Sequence, residues 1–304
     1  PLLRSRAMKD RPVLIVGRTG TLGQALAAAC LRRGLNFAIS GREVLTLENP
    51  DSARRALSHF QPCAVINAAG WVRLDEAEIF PDRCMAANAT GAENLALVCA
   101  EHSLPFVSFS SDQVFDGVKG APYMENDTPN PLNAYGLSKW EAERRIIDTG
   151  AQALIVRTAA FFSPYDRYNF AVAAIDALRA GKDFEAAGDE FVSPTYVPDL
   201  ADTVLDLLID GERGLWHLVN QGRVSWAMFA ALLAERAGLD QTRVHHRLRQ
   251  SFNSKATRPA DAALTSARGL LMPTLDHAID RFIQGCWTMP TLRGAGTEYQ
   301  RRPH

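Results

Sequence analysis

Tyr135 and Lys139 form the pattern Y-x-x-x-K, and their side-chain types suggest a specific chemistry. In a helix, a spacing of four residues places both side chains on the same face. An ammonium group beside a phenol lowers the pKa of the phenol. A tyrosine tuned in this way can donate a proton to a carbonyl oxygen as a hydride arrives at the carbon. The pair therefore predicts a ketone reductase.

The position of this pair in the chain strengthens the prediction, because the pattern alone is common by chance. Tyr135 begins a predicted helix, Asn133–Ile147, which follows the predicted strand Pro105–Phe109. Ser111 stands at the end of that strand, about 25 residues before Tyr135. A hydroxyl at this place can hold the same carbonyl oxygen that the tyrosine protonates.

A glycine-rich segment near the beginning of the chain predicts a dinucleotide-binding loop. It follows the apolar strand Val13–Val16 directly and opens a predicted helix, Leu22–Arg33. Glycines allow a tight turn and a close approach of backbone N–H groups to a pyrophosphate, which then faces the positive end of the helix. Spaced glycines alone are weak evidence, but in a strand–turn–helix context they are strong. The predicted cofactor-binding residues are Gly17, Arg18, Thr19, Gly20, Thr21, Leu22 and Gly23.

The end of the second predicted strand, Asn36–Ile39, bears on the choice of cofactor. NAD-binding proteins usually place an acidic residue there, to accept hydrogen bonds from the ribose hydroxyls. Here no carboxylate occurs before Glu43, whereas Arg18 and Arg42 are suited to hold a 2′-phosphate. We therefore expect NADP(H) to be preferred, with NAD(H) as a possible substitute. The alternative, two solvated surface arginines, stays open.

Short apolar strands alternate with helical patterns through the first half of the chain, which predicts a parallel sheet covered on both faces. The fold class is therefore α/β, with a doubly wound parallel Rossmann-type sheet and a smaller, mostly helical substrate lobe. The further strands predicted here are Ala64–Asn67 and Ala153–Val156, and the helices are Asp51–Phe60 and Pro81–His102.

The second half is more loosely patterned, with one predicted strand at Leu215–Val219. Residues 11–160 are predicted to form the NADP(H)-binding domain, with later strands returning from about 187–222, and 161–290 mainly a substrate-binding lobe. Residues 1–10 and 291–304 are expected to be flexible tails. The helices predicted in this half are Tyr168–Ala180, Val197–Ile209, Ser225–Arg236 and Leu275–Gln284.

The composition excludes several classes of protein. The net charge of −1 gives no bulk electrostatic case for nucleic acid, and no apolar run approaches the length of a membrane span. No signal peptide is apparent and the histidines have no metal-ligand spacing, so we expect no metal and a cytoplasmic protein. We expect a monomer or homodimer, either alone or within a longer polypeptide. The cysteines are expected to be buried, reduced thiols: Cys30, Cys63, Cys84, Cys99 and Cys286.

A series of short blocks gives the sequence a family resemblance. The chain resembles the dTDP-4-dehydrorhamnose reductase family, a branch of the extended short-chain dehydrogenases/reductases, from about residue 12 to about residue 285. Each block is a modest signal, but their joint order is specific. The blocks are Val65–Ala69, Asp75–Glu78, Asn88–Ala96, Ser110–Gly117, Arg157-Thr158, Asn169-Phe170, Ser193–Thr195, Asp199–Ala201, Ser225-Trp226, Phe229-Ala230 and Arg258-Pro259.

The resemblance implies a role for each matching residue. Tyr135 would be the general acid, and Lys139 its partner and a ligand of the nicotinamide ribose. Ser111 would take the place of the family's threonine. Asn88 would either hold a proton-relay water or be a buried structural residue, and both interpretations stay open. The residues expected to line the cofactor beyond the pyrophosphate are Asn67, Ala68 and Ala69.

The departures from the family pattern cluster around the expected sugar site. Gln113 replaces a tyrosine, Ala160 a tryptophan and Val72 a threonine, while Arg73 stands where a small residue is usual. We interpret Trp226 as core packing rather than as a sugar-stacking residue. The basic stretch 243–258 is interpreted as a solvated face, apart from Arg258, which the resemblance places near a nucleotide diphosphate. The expected substrate-binding residues are Asp112, Gln113, Arg73, Ala160 and Arg258.

These observations predict an NADP(H)-dependent reductase of the 4-keto group of a nucleotide-linked deoxysugar, as in the dTDP-L-rhamnose biosynthesis that the resemblance implies. The departures favour a shifted sugar specificity. The alternative is an NADP(H)-binding regulatory or non-catalytic subunit of another enzyme. Retention of Ser111, Tyr135 and Lys139 argues against that alternative.

Overall fold

The computed structural model describes residues 10–288, which form an α/β fold. The strands are β1 Val13–Val16, β2 Phe37–Ser40, β3 Ala64–Asn67, β4 Phe106–Ser111, β5 Ala153–Thr158, β6 Phe161–Phe162, β7 Phe184–Ala187, β8 Phe191–Val192, β9 Thr195–Tyr196, β10 Gly214–His217, β11 Val224–Ser225 and β12 Val244–Arg247. The helices are α1 Thr21–Arg32, α2 Pro50–Phe60, α3 Leu74–Ile79, α4 Pro81–Met85, α5 Gly91–Glu101, α6 Ala134–Asp148, α7 Phe170–Arg179, α8 Val197–Asp210, α9 Trp226–Arg236 and α10 Leu275–Thr288.

The centre of the fold is a six-stranded sheet in the order β2-β1-β3-β4-β5-β10, with every pairing parallel. Its strands are apolar throughout because both faces are covered by helices. In β1, Val13 and Ile15 join the cluster under α1 and α8, whereas Leu14 and Val16 join the cluster under α2, α5 and α6. The doubly wound Rossmann-type sheet predicted from the sequence is confirmed.

The strand order reverses between β1 and β3, which creates a crevice at the carboxyl edge of the sheet. In open parallel sheets, ligands bind at such a reversal, outside the carboxyl ends of the strands. Gly17 follows β1, Asn67 ends β3 and Ser111 ends β4, so the topology brings all three to this edge. The sheet therefore positions the predicted cofactor and catalytic residues side by side.

The remaining elements form a smaller lobe with its own apolar cluster, built mainly from α7, α9 and α10. Here the prediction that several strands return to the sheet from about 187–222 is wrong for all but one of them. Only β10 joins the main sheet, whereas β8 pairs with β11 and β9 with β6 in separate two-stranded sheets. These strands have two residues each, too few to extend a sheet whose edge β10 already occupies.

The helical stretch predicted for residues 81–102 contains a π-helical turn, Ala86–Thr90, between α4 and α5. The predicted tails lie outside the described residues, apart from Asp10. Of the predicted buried thiols, Cys30, Cys84 and Cys99 are buried and the other two are half-buried, and all five are free. Within residues 10–288, no helix combines the length and the apolar character needed to cross a membrane.

Candidate active site

The beginning of α6 brings the Y-x-x-x-K pair to the end of β4. Asn133 caps this helix, since its side-chain oxygen accepts a hydrogen bond from the backbone N–H of Gly136 at 2.7 Å. A Cβ atom at Gly136 would lie 2.1 Å from the carbonyl oxygen of Gln113, so only glycine allows this contact. Gly136 therefore lets the beginning of α6 approach the turn that follows Ser111.

The side chains at this junction form a buried polar chain. The Ser111 hydroxyl donates to the Asp112 carboxylate at 2.8 Å. Burial raises the pKa of Tyr135 above its usual value, and the nearby Ser111 side chain opposes this shift only in part. The phenol therefore keeps its proton at neutral pH and is ready to act as an acid.

The expectation that Lys139 lowers the pKa of Tyr135 is thus wrong for this arrangement. The Lys139 ammonium donates to the carbonyl oxygen of Phe109 at 3.0 Å and lies 5.8 Å from the centroid of the Tyr135 ring. It is held by the backbone of β4 and does not bond to the phenol oxygen. Burial lowers the pKa of Lys139 to about 8.

Asp112 is a buried carboxylate at the same place. Burial raises its pKa to about 7, and the nearby negative charge of Glu190 adds to this effect. Hydrogen bonds from Ser111 and Gln113 act in the opposite direction. Near neutral pH the Asp112 side chain is therefore divided between its acid and its carboxylate forms.

Asn88 lies behind this junction, in the π-helical turn, and all its polar atoms have protein partners. Its side-chain oxygen accepts from the backbone N–H of Trp71 at 2.7 Å, and its amide donates to the Trp71 carbonyl and to the Ser138 hydroxyl. The structure therefore favours the interpretation of Asn88 as a structural residue. It connects the loop after β3 with α6, and π-helical turns are frequent at functional sites.

One turn after Lys139, a buried ion pair connects α6 to the sheet. Arg157 in β5 donates two hydrogen bonds to the Glu143 carboxylate, at 2.8 and 2.6 Å, and both side chains are buried. The same guanidinium lies 5.0 Å from the centroid of the Phe115 ring. This pair fixes the face of α6 that carries Lys139.

The glycine-rich loop has the geometry that a dinucleotide pyrophosphate needs. Gly17 has φ +118°, and a Cβ atom there would lie 2.8 Å from the carbonyl carbon of Ala68. A Cβ atom at Gly23 would lie 2.1 Å from the carbonyl oxygen of Gly17. Gly20 precedes α1 and has no side chain that could cap the helix, so no capping side chain bonds to the first N–H groups of α1. The loop is therefore a bare backbone cradle, which suits a phosphate.

The two arginines expected to hold a 2′-phosphate are placed differently. Arg42 is exposed and lines the cleft, whereas Arg18 pairs with Glu43 at 3.0 Å. The prediction that both arginines hold a 2′-phosphate therefore stays a prediction, with Arg18 in an exposed ion pair and Arg42 at the cleft. Asn67, Ala68 and Ala69 line the same cleft.

A single cleft of about 1490 Å³ joins the glycine loop to the catalytic junction and to the small lobe. This exceeds the volume of a typical pocket for one small ligand, so it has room for a cofactor and a substrate. The predicted substrate residues all line it: Arg73, Asp112, Gln113, Ala160 and Arg258. Among the described residues, no group of three or more metal-ligating side chains is present.

Comparison with known proteins agrees with this geometry. The family model described as the RmlD substrate binding domain matches residues 11–276. The chain belongs to this family. A dTDP-4-dehydrorhamnose reductase from Streptomyces griseus is 32% identical over 265 residues, which are 84% of this chain and 86% of the relative. A dTDP-4-keto-6-deoxy-D-glucose reductase from Streptomyces niveus is 32% identical over 240 residues, with 78% and 82% covered.

Solved structures give the same result. A dTDP-4-dehydrorhamnose reductase from Bacillus anthracis in complex with NADP has a TM-score of 0.86 and 27% identity, covering 90% of this chain and 99% of that one. The Bordetella bronchiseptica enzyme WbmH in complex with NAD+ has a TM-score of 0.73 at 17% identity, covers 91% of this chain and 99% of that one, and supports the fold alone.

In this member of the RmlD substrate binding domain family, the residues predicted to contact the sugar have the following contacts and backbone geometry. Gln113 accepts a hydrogen bond from the Asn133 amide at 3.1 Å, and Ala160 adopts φ +38°, which is uncommon for a residue other than glycine. Arg73 pairs with Glu76 at 2.5 Å and Arg258 with Asp75 at 3.3 Å. The two arginines therefore reach the cleft with carboxylate partners already in place.

Trp226, Glu190 and Asp166 were not predicted from the sequence to lie at the cleft. Trp226, expected in the core, packs partly on the small lobe's apolar cluster but also lines the cleft, together with Glu190. The loop before α7 reaches the glycine-rich loop, where the Thr21 hydroxyl donates to Asp166 at 2.7 Å. No motif marked Asp166 or Glu190, because each meets its partner only through the tertiary fold. The acidic pair Asp189-Glu190 was the one available signal for Glu190.

Proposed function

We propose that this protein uses NADPH to reduce the 4-keto group of a nucleotide-linked deoxysugar, as its dTDP-4-dehydrorhamnose reductase relatives are named for doing. The observation that carries the proposal is the convergence of Ser111, Tyr135 and Lys139 in the same cleft as the glycine-rich loop. This arrangement combines a proton donor with a cofactor cradle. The five free thiols suit a reducing, cytoplasmic setting.

The residues of this chain divide the reaction among them. The Ser111 hydroxyl and the Tyr135 phenol hold the ketone oxygen, and the phenol gives its proton to that oxygen. Lys139, fixed by the carbonyl of Phe109, is placed to bind the ribose next to the nicotinamide. Bound NADPH supplies the hydride to the ketone carbon. The product is a secondary alcohol, and the phenolate regains a proton afterwards.

The raised pKa of Tyr135 suits this direction of reaction. Burial keeps the phenol protonated, so its proton is present when the ketone binds, while the same raised pKa makes the phenol a weaker acid than one tuned to neutral pH. Asp112, with a pKa of about 7, is in part protonated, and after turnover it would give its proton to Ser111 as Ser111 gives its own to the phenolate.

The cofactor side uses mainly backbone groups. The loop from Gly17 to Gly23 and the free N–H groups of α1 would bind the pyrophosphate. Arg42, at the edge of the cleft, would bind the 2′-phosphate, and Arg18, paired with Glu43, would be the second cation. This supports a preference for NADPH, with NADH as a weaker substitute.

On the substrate side, Arg258 would bind the nucleotide's diphosphate in exchange for Asp75, with Arg73 as a second cation at the cleft. Asp112 and Gln113 would contact the sugar, and Ala160 leaves space where the resemblance implies an aromatic ring. The alternative of a non-catalytic NADP(H)-binding subunit is not favoured, because the catalytic groups are not only retained but also preorganised by Asn88 and Glu143.

The test is NADPH oxidation against a panel of nucleotide 4-keto sugars that includes dTDP-4-dehydrorhamnose and dTDP-4-keto-6-deoxy-D-glucose. We expect turnover of at least one of them. Because the aromatic groups at positions 113 and 160 are missing, kcat/KM for dTDP-4-dehydrorhamnose should lie below about 10⁴ M⁻¹s⁻¹. A higher value would overturn the expected shift of specificity. Absence of turnover across the whole panel would overturn the proposed function.

A further inference from the structure

Glu190 and Trp226 are joined at the small-lobe side of the cleft. The antiparallel pairing of β8 and β11 sets Phe191 opposite Ser225, so the residues on either side of this pair become neighbours. The indole N–H of Trp226 donates to the Glu190 carboxylate at 2.9 Å. The Trp226 ring rests on Phe170, with 4.7 Å between the ring centroids. The orientation of the indole is therefore fixed from two sides.

One oxygen of the Glu190 carboxylate accepts no hydrogen bond from the described residues. The residue is 8% exposed, and the indole N–H is its only side-chain hydrogen-bond partner among the described residues. Neither guanidinium nearby bonds to it, since Arg258 pairs with Asp75 and Arg249 donates to the Arg258 carbonyl. The residue borders the cleft, and its remaining oxygen is not among the buried atoms that lack a partner, so this oxygen faces the cleft.

An oxygen that faces a cleft in this way would lose its contact with water when a ligand fills the cleft, so the ligand must donate a hydrogen bond to it. Glu190 shares the cleft with Tyr135 and Ser111, and its charge is near enough to Asp112 to affect the ionisation of that residue. A sugar whose ketone lies at Tyr135 therefore occupies the same cleft that Glu190 borders. Burial raises the pKa of Glu190, while the indole of Trp226 and the charges of Arg258 and Arg249 lower it, and a neutral hydroxyl can bond to this largely buried carboxyl group in either protonation state.

We propose that Glu190 and Trp226 form the sugar-recognition pair of this enzyme. Glu190 accepts a hydrogen bond from a ring hydroxyl, and the exposed part of the Trp226 indole packs against the apolar face of the same ring. A carboxylate beside a fixed aromatic ring combines directional and apolar contacts in one place. The pair supplies the aromatic surface that is missing at Ala160, and the inference rests on the proposed function.

The test separates the contribution of the sugar from that of the nucleotide. Binding of dTDP and of dTDP-L-rhamnose to the NADPH-loaded protein is measured by calorimetry, because NADPH and an alcohol do not react. The wild type should bind dTDP-L-rhamnose more tightly than dTDP. Glu190→Gln retains an oxygen for the indole N–H but loses the charge, and it should weaken dTDP-L-rhamnose about tenfold while changing dTDP less than twofold.

Two further variants keep the test decisive. Trp226→Phe should also reduce the advantage of dTDP-L-rhamnose over dTDP, so the proposal can be tested even where Glu190→Gln does not fold. The matched control is Glu185→Gln, an exposed glutamate of the same lobe that pairs with Arg247. This control should leave both affinities unchanged.

The outcomes also distinguish this inference from the proposed function. Equal losses for dTDP and dTDP-L-rhamnose in Glu190→Gln, or equal wild-type affinities for the two ligands, would overturn the sugar-recognition pair. Tighter binding of the sugar nucleotide that depends on Glu190, in a protein that reduces no keto sugar, would support the pair and overturn the reductase. Turnover unaffected by either substitution would leave the reductase standing without the pair.

Discussion

The two sides of the cleft are built in different ways. On the cofactor side, the site consists of backbone groups at the carboxyl edge of the sheet, where Gly17 is pressed against Ala68. On the sugar side, the site consists of side chains from distant segments, such as Asp75 and Arg258, which are 183 residues apart. The first side leaves a pattern of spaced glycines in the sequence, and the second leaves almost none.

This difference explains where change is tolerated. A Cβ atom at Gly17 or Gly23 would collide with backbone, so the cofactor side cannot vary without moving the sheet. Positions 113 and 160 line the cleft, where Gln113 bonds to Asn133 and Ala160 packs partly against a small apolar cluster, and neither backbone is pressed between strands of the sheet. The catalytic and cofactor positions accordingly keep the family pattern, whereas the departures gather around the sugar.

The largest expected effect is on the catalytic side. Tyr135→Phe removes the proton donor, and it should lower kcat by about 10²- to 10⁴-fold while leaving NADPH affinity within about twofold. Lys139→Ala should impair both turnover and cofactor binding, because this residue has two roles. The control is Tyr168→Phe, an exposed tyrosine at the same cleft. Full activity of Tyr135→Phe, measured with whichever keto sugar is reduced, would rule out the mechanism.

The next effect concerns the stability that the buried ion pair between β5 and α6 contributes. Arg157→Met leaves the buried Glu143 carboxylate without its partner, and it should lower the free energy of unfolding by about 3–5 kcal/mol. Denaturant titration measures this change. Arg54→Met, which breaks an exposed pair with Glu101, should have a much smaller effect. Similar losses for the two variants would mean that the buried pair does not stabilise α6 as described.

A smaller effect is expected at the edge of the cofactor site. Arg42→Ala should weaken NADPH binding by about 10- to 100-fold and leave NADH almost unchanged, since only NADPH carries the 2′-phosphate. Arg18→Ala should matter less, because Arg18 is already engaged by Glu43. Fluorescence titration with both cofactors is the measurement. Equal weakening of NADPH and NADH would place the 2′-phosphate elsewhere.

A last effect, spread over several pH units, concerns the pH dependence of stability at Asp112. Its pKa rises from 3.8 to about 7 on folding, so the folded protein holds a proton that the unfolded chain releases between these values. This group therefore contributes a loss of stability as the pH rises from about 4 to 7, with a slope of at most about 1.4 kcal/mol per pH unit. Asp112→Asn should remove that component of the slope. An unchanged pH profile of unfolding would show that the carboxyl group titrates normally.

Particular residues show how far the sequence predicts this molecule. The strands β1 to β5 and the positions of Tyr135, Lys139 and Ser111 follow from apolar runs and fixed spacings, which are local properties. The direction of the Tyr135 pKa shift was wrong because the pKa depends on burial and on where the Lys139 ammonium is held. The pairing of Arg18 with Glu43, and the place of Trp226 in the cleft, depend on tertiary contacts that no local pattern records.

The most direct test of the central claim follows the hydrogen atom itself. The protein is incubated with NADPH carrying deuterium in both hydrogen positions at the nicotinamide C4 and with the keto sugar that it reduces, and the product is analysed by mass spectrometry and NMR. We expect one deuterium on the former ketone carbon of the sugar with the wild type, and almost none with Tyr135→Phe. Oxidation of NADPH without deuterium in the sugar, or undiminished transfer in Tyr135→Phe, would contradict this expectation.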